Sequence, residues 1–169
     1  DMSHFRMVLP GLPYEAPSHN RRANPLEQRS TEEFEALWTE AAGPVSKGMY
    51  QIFNGISPLI AAELCFRADV PERASYRELS AEERIRLYQA FTQFFAGVPE
   101  TEPQPVIYMD GENMREYSMF PCRMMAGVEE KQFTSPSALL DVYYVRQDNR
   151  NRLRQKAQDL HKLVMTNLE

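Results

Sequence analysis

The residues of this chain best placed to do chemistry lie at two points. The first is Asn54-Gly55-Ile56-Ser57, between two short segments with apolar faces, which has the form of a helix-hairpin-helix unit. In such a unit a tight glycine turn exposes backbone N–H groups beside a helix N-terminus, and these together make an anion site that suits a phosphate. Gly55 supplies the turn, Ser57 and the amides after it can donate hydrogen bonds, and Lys47 and Arg67 bring positive charge nearby. The same pattern also reads as a plain corner in a helical core, and one glycine hairpin does not separate the two. The second point is Arg150-Asn151-Arg152-Leu153-Arg154-Gln155-Lys156. On a helix these cations are either a solvated face or an electrostatic stripe for RNA backbone, each contact of which is salt-sensitive.

Other reactive side chains form no constellation. His4, His19 and His161 share no spacing and no acidic partner in sequence, so they read as solvated bystanders. Asp110 and Glu112 pass as a carboxylate pair, but Asp-Gly is ordinary hairpin chemistry. There is no Gly-rich phosphate loop, no G-x-S-x-G elbow and no H-E-x-x-H. Cys65 falls on an apolar helical face and Cys122 follows Pro121 in a strand-like run, with no second Cys or His at metal-ligand spacing. They read as buried thiols of a reducing cytoplasm, not as a disulfide. The expectation is a chain with no intact active site, no metal and no cofactor.

Those groups need elements to position them. With 43% hydrophobic and 25% charged residues in 169, the chain can bury a real core. No stretch approaches the roughly 20 apolar residues of a membrane helix, and no secretory pattern opens the chain. The net charge of −5 argues against a general nucleic-acid binder. Its distribution is uneven: residues 30–99 hold ten acids and six bases, 100–147 eight and four, while 148–169 hold three acids against five bases. Electrostatic contact with RNA would therefore be local, at the C-terminal segment and at the N-terminal one.

Residues 1–29, with Pro10, Pro13, Pro17 and Pro25, read as an extended connector. Residues 30–98 read as a helical helix-hairpin-helix domain with helices over roughly 31–42, 45–54, 58–68 and 81–96. Capping boxes are expected at Ser30/Glu33 and Ser80/Glu83, and Ser57-Pro58 has the form of an N-cap followed by proline at the first helical position. The helices are expected to pack through Trp38, Ile52, Leu64, Tyr88 and Phe91. Residues 99–134 read as a linker and a β-hairpin with a four-residue loop at Asp110-Gly111, and Gly127 marks a turn. Residues 135–169 read as one long helix, bent near Asp148-Asn149, whose Leu153, Ala157, Leu160, Val164 and Leu168 form a coiled-coil seam. The predicted class is α+β, mainly helical: a helix-hairpin-helix bundle, a small antiparallel β-hairpin and a long coiled-coil-type C-terminal helix. An opening without Met and an end inside a helical pattern predict a piece of a larger protein.

Several segments together resemble the NFACT family of ribosome quality-control factors, some bacterial members of which carry an older fibronectin-binding label. Leu9-Pro10-Gly11-Leu12-Pro13-Tyr14-Glu15-Ala16-Pro17 with Asn24-Pro25-Leu26 resembles the stretch that leads to the family's helical insert. Gly55 to Leu64 resembles its helix-hairpin-helix, and Pro105-Val106-Ile107-Tyr108 with Phe120-Pro121 the strands that follow. Ser135 to Tyr144, then Asp148-Asn149-Arg150 through Leu160, resemble the entry into its first coiled-coil arm.

The resemblance implies a fold akin to the formamidopyrimidine-DNA glycosylases and a cytoplasmic factor that binds stalled large ribosomal subunits and tRNA. It implies support of C-terminal alanine tailing of the nascent chain. The implied partners are the large subunit, tRNA, rRNA and a second coiled-coil arm outside residues 1–169, with no membrane. The implied RNA-contacting residues are Lys47, Gly55, Ser57, Arg150, Arg152, Arg154 and Lys156. Two other readings stay open: a fibronectin- or fibrinogen-binding surface adhesin, and a DNA-binding helix-hairpin-helix module, against which the acidity of residues 30–99 counts.

Overall fold

Local signals set the helices. The computed structural model describes residues 22–39 and 41–166, with side chains through residue 160. Most of the expected connector, the side chains of Val164 and Leu168, and all three histidines lie outside that set. Ser30 caps α1 (Thr31–Ala36), and its hydroxyl and the Glu33 carboxylate each accept the other's backbone N–H. The same reciprocal box at Ser80/Glu83 opens α4 (Ala81–Gly97). Ser57 caps α3 (Pro58–Ala68) through the Ile60 N–H, with Pro58 at a first-turn position that needs no donor. The helix α2 (Val45–Ile52) precedes it.

α1 stops six residues short of expectation. The Thr39 hydroxyl donates to the Ala36 carbonyl at 2.8 Å, a local side-chain bond that competes with a further helical turn. Trp38 therefore enters the core from a turn. Its ring stacks on Tyr76 at 4.4 Å, and its other side lies against Gly48, where a Cβ would sit 2.6 Å from the ring. Around this stack the four helices bury Phe34, Met49, Phe53, Leu64, Leu87 and Phe91. Of the expected core residues, Trp38, Leu64 and Phe91 are buried, while Ile52 and Tyr88 are partly buried at the edge of the same cluster. A third capping box, Ser75/Glu78, opens a 3₁₀ turn at Tyr76–Glu78.

The expected hairpin is part of a three-stranded antiparallel sheet in the order β2-β1-β3: β1 (Val106–Asp110), β2 (Asn113–Ser118) and β3 (Glu130–Gln132). Its loop is two residues, not four, because Asp110 pairs with Asn113. Gly111 takes φ +58 at the first loop position, where two-residue hairpins want a positive φ. Cys122 lies at the start of a 3₁₀ turn (Arg123–Met125), not in a strand, and its N–H donates to the buried Tyr108 hydroxyl at 2.7 Å. Both cysteines are free and buried.

Val106 and Tyr108 pack with Leu59 of α3, Cys122 and Met125 on one side of the sheet. Ile107, on the alternate face, is buried on the side where α5 (Pro136–Thr166) meets β1. The helix α5 is one unbroken run through Asp148-Asn149, as the expectation of one long helix has it. Leu139 anchors it, fully buried, and every described side chain from Tyr144 to Leu160 is exposed. Leu153 and Leu160 of the predicted seam are 68% and 63% exposed, so the seam has no partner among the described residues.

Buried Glu63 joins the helices to the sheet. Its carboxylate accepts the Arg123 N–H at 2.8 Å, the Met124 N–H at 2.9 Å and the Arg67 Nε–H at 2.6 Å. A fully buried carboxylate is tolerable because these donors replace water. It ties the middle of α3 to the turn that follows β2.

Candidate nucleic-acid interface

The α2–α3 turn is built by glycine. Gly55 holds φ +74, and a Cβ there would meet nothing within 4 Å, so the backbone conformation and not space demands it. Ile56 is buried behind the turn, while Gly55 and Ser57 are exposed. On one flank the turn is closed by residues 22–24: Ala23 N–H donates to Ile52 O at 2.8 Å, Asn54 N–H to Ala23 O at 2.9 Å, and the Asn54 side-chain amide to Arg22 O at 3.1 Å.

The turn lacks the cations expected beside it. Lys47 is exposed but sits in the first turn of α2, about 9 Å of helix rise from the turn at the other end. Arg67 is occupied: its guanidinium pairs with Glu63, reaches Pro121 O at 3.5 Å and lies 5.0 Å over the Phe94 ring. Gly55 and Ser57 thus offer amides and a hydroxyl, and the described cation whose backbone meets the turn is the exposed Arg22, not Lys47 or Arg67.

The basic run is divided by the helix that carries it. At about 100° per residue, Arg150 and Arg154 share one side of α5 while Arg152 and Lys156 point roughly the other way. Arg150 and Arg154 face a cleft of about 490 Å³ between α5 and the β1–β2 hairpin. Two cations that sequence reasoning missed line the same cleft: Arg146, one turn earlier on the helix, and Arg115 on β2. Arg115 is the extra residue of a β-bulge, since Tyr108 pairs with Glu116 and Met109 with Met114, leaving Arg115 without a partner. A bulge of this kind re-aims a side chain. The i−4 spacing of Arg146 from Arg150 is a signal that sequence could have supplied, whereas nothing in it announces the bulge.

One aromatic residue, Tyr143, lines the cleft. Tyr143 of α5 packs on Tyr117 of β2 at 4.6 Å and on Tyr144 at 5.6 Å. Hydrogen bonding with Tyr144, then burial, holds the Tyr117 phenol above its ordinary range. These rings fix the helix against the hairpin, so the arginines on either wall are held at a set separation. Among the described residues no group of three or more His, Cys, Asp or Glu is placed to hold a metal ion, and no helix is long and apolar enough to cross a membrane.

Comparison with known proteins places this architecture. Residues 1–169 match the model for the NFACT N-terminal and middle domains. The Rqc2 homolog RqcH of Bacillus subtilis (strain 168) is 30% identical over 164 residues, 97% of this chain and 26% of that protein. The RqcH of Streptococcus suis (strain 05ZYH33) is 28% identical over 167 residues, 98% of this chain and 25% of that one. Among solved structures, the fibrinogen binding protein from Staphylococcus aureus aligns with a TM-score of 0.59 at 24% identity, over 81% of this chain and 46% of that one. The N-terminal part of the fibronectin/fibrinogen-binding protein from Streptococcus suis aligns with a TM-score of 0.50 at 25% identity, over 84% and 43%. The chain spans about a quarter of the length of the curated relatives it matches.

Proposed function

Because the chain belongs to the NFACT family, we propose that it serves in a ribosome quality-control factor, acting in the cytoplasm on stalled large ribosomal subunits that carry tRNA. In this reading the chain contributes RNA contacts, to rRNA and tRNA, and helps position the tRNA for C-terminal alanine tailing of the stalled nascent chain. It supplies binding surface and not a catalytic group. The observation that carries the RNA contact is the cleft at the base of α5, where Arg115, Arg146, Arg150 and Arg154 gather in a chain whose net charge is −5. Phosphates are the natural counterpart of clustered guanidinium groups. The amides of Gly55 and Ser57 at the α2–α3 turn would add a second, weaker contact. The exposed seam of α5 supports its pairing with a second coiled-coil arm outside residues 1–169.

The intact protein should co-sediment with large ribosomal subunits, less so as salt rises. Crosslinking followed by sequencing of the bound RNA should recover large-subunit rRNA and tRNA above messenger RNA. No enrichment of either would sink the proposal. A second reading rests on the fibrinogen- and fibronectin-binding names of the two similar structures. Specific binding of the intact protein to immobilised fibrinogen, with no large-subunit association, would favour it.

A further inference from the structure

We propose that the cleft between the β1–β2 hairpin and α5 is a binding site for one strand of RNA, its successive phosphates laid along Arg146, Arg150 and Arg154 with Arg115 gripping from the opposite wall. The inference rests on the RNA-binding reading above and names the ligand class and the residues.

Charge placement along α5 is the first support. Arg146, Arg150 and Arg154 stand one above another at four-residue steps, each rising about 6 Å. That step is of the order of the separation between neighbouring phosphates on one strand. Like charges at this spacing repel and weaken a helix slightly. Every described acid of the helix lies on the other side: Asp141, Asp148 and Asp159 fall roughly half a turn away from Arg150. There Asp148 precedes Arg152 by four residues and Asp159 follows Lys156 by three, so those two cations have compensating neighbours within reach. On the helix itself the ladder has none, and the carboxylates that approach it, Glu112, Glu129 and Glu130 in a groove shared with Arg146, come from the sheet side. A merely solvated helix would gain by interleaving the signs.

The second support comes from the opposite wall. The β-bulge turns Arg115 toward the ladder, and none of Arg115, Arg146, Arg150 or Arg154 donates a hydrogen bond to another described residue or pairs with a described carboxylate. One acid, Glu112, lines the cleft. The walls also carry Asn113, Gln147 and Asn149, whose amides both donate and accept and so can meet base edges and ribose hydroxyls. At about 490 Å³ the cleft has the size of a small-ligand site, which admits part of one strand and not the width of a duplex.

The test is fluorescence anisotropy of a labelled ten-residue oligo-uridine with the 169-residue chain across a salt series. Four neutralised phosphates predict a log–log salt slope of about −3, from roughly 0.7 per contact on a single strand. Arg150→Ala with Arg154→Ala should bring the slope to about half of that, and Arg115→Ala alone should reduce it by about 0.7. Arg152→Ala with Lys156→Ala should leave it unchanged. Circular dichroism confirms that each variant keeps its helices. The proposal is overturned if both pairs reduce the slope equally, if the cleft variants leave it unchanged, or if the wild-type chain does not bind the strand. It is equally overturned if an RNA duplex or a poly-glutamate peptide binds the same arginines more tightly. Large-subunit co-sedimentation of the intact protein reports on the wider reading separately, so that reading can survive the loss of this one.

Discussion

Arg67 and Arg86, in the helical unit, have their guanidinium groups tied to the fold, whereas Arg146, Arg150 and Arg154 on α5 do not. Arg67 pairs with buried Glu63, and Arg86 donates to the carbonyls of Ala68 and Asp69 at 2.8 and 3.0 Å. The latter closes the C-terminal end of α3, where Asp69 turns left-handed at φ 52. Arg77 and Arg84 likewise donate to the backbone carbonyls of Thr39 and Arg77. These four arginines replace water at a buried carboxylate and at backbone carbonyls left without a partner by helix ends and turns, while Arg73 of the same unit is exposed. On α5 the same side chain stands in solvent beside others of its kind. The difference separates cations that hold the structure from cations available to a partner, and residue counts cannot make that separation.

The largest effect should come from breaking the tie between helices and sheet. Glu63→Ala leaves two part-buried N–H groups and the Arg67 guanidinium without their buried acceptor, and is expected to cost about 3 kcal/mol in urea unfolding. A loss below 1 kcal/mol would mean that Arg67 and Glu63 do not hold the helices to the sheet. Gly48→Ala forces a methyl against Trp38 and should cost about 1–3 kcal/mol by the same measurement.

A third effect is pH-dependent, with raised groups both in the helical unit, at Cys65 and Tyr76, and in the sheet, at Tyr108. Burial pushes the Cys65 thiol up to about 12 from 9, with the Glu72 carboxylate adding to it, and burial likewise raises Tyr76 to about 12 from 10. A group whose folded pKa is raised in this way keeps the fold stable below its unfolded pKa. As pH rises above that value the unfolded chain ionises first, and stability falls. The loss should begin near pH 9 and be on the order of 1 kcal/mol by pH 10. Cys65→Ala should remove the first part of the decline. The smallest effect sharpens the contrast most: Arg150→Ala with Arg154→Ala should change stability by no more than about 0.5 kcal/mol, and in the stabilising direction as repulsion is relieved. A clear loss in thermal unfolding would place these arginines among the structural ones.

What could be read from sequence was what depends on neighbours in sequence. The boxes at Ser30/Glu33 and Ser80/Glu83, the Ser57-Pro58 start and the α+β class needed only local patterns. The strand β3 was missed because its three residues, Glu130 to Gln132, are all exposed and carry no alternation. Glu63 looked like any charged residue on a helix, and only the distant turn at Arg123 explains its burial. The cleft joins Arg115 to a helix more than thirty residues later, and the run Arg150 to Lys156 looked like one stripe until a helix of known phase divided it. Lys47, close to Gly55 in number, is held away from it by the length of α2.

The anchoring of α5 has a mechanical consequence. Among the described residues the helix is gripped near its root, at Leu139 and through the contact of Tyr143 with Tyr117. Beyond Tyr143 its backbone runs on to Thr166, a span of about 35 Å at 1.5 Å per residue whose described side chains are all exposed. Such a span is a lever with its fulcrum at the sheet. A tilt of about 10° at the root would displace the far end by about 6 Å, one helical turn's worth of travel. Whatever wedges between hairpin and helix pushes on that lever close to its fulcrum, so small adjustments beside the tyrosines become larger movements at the tip.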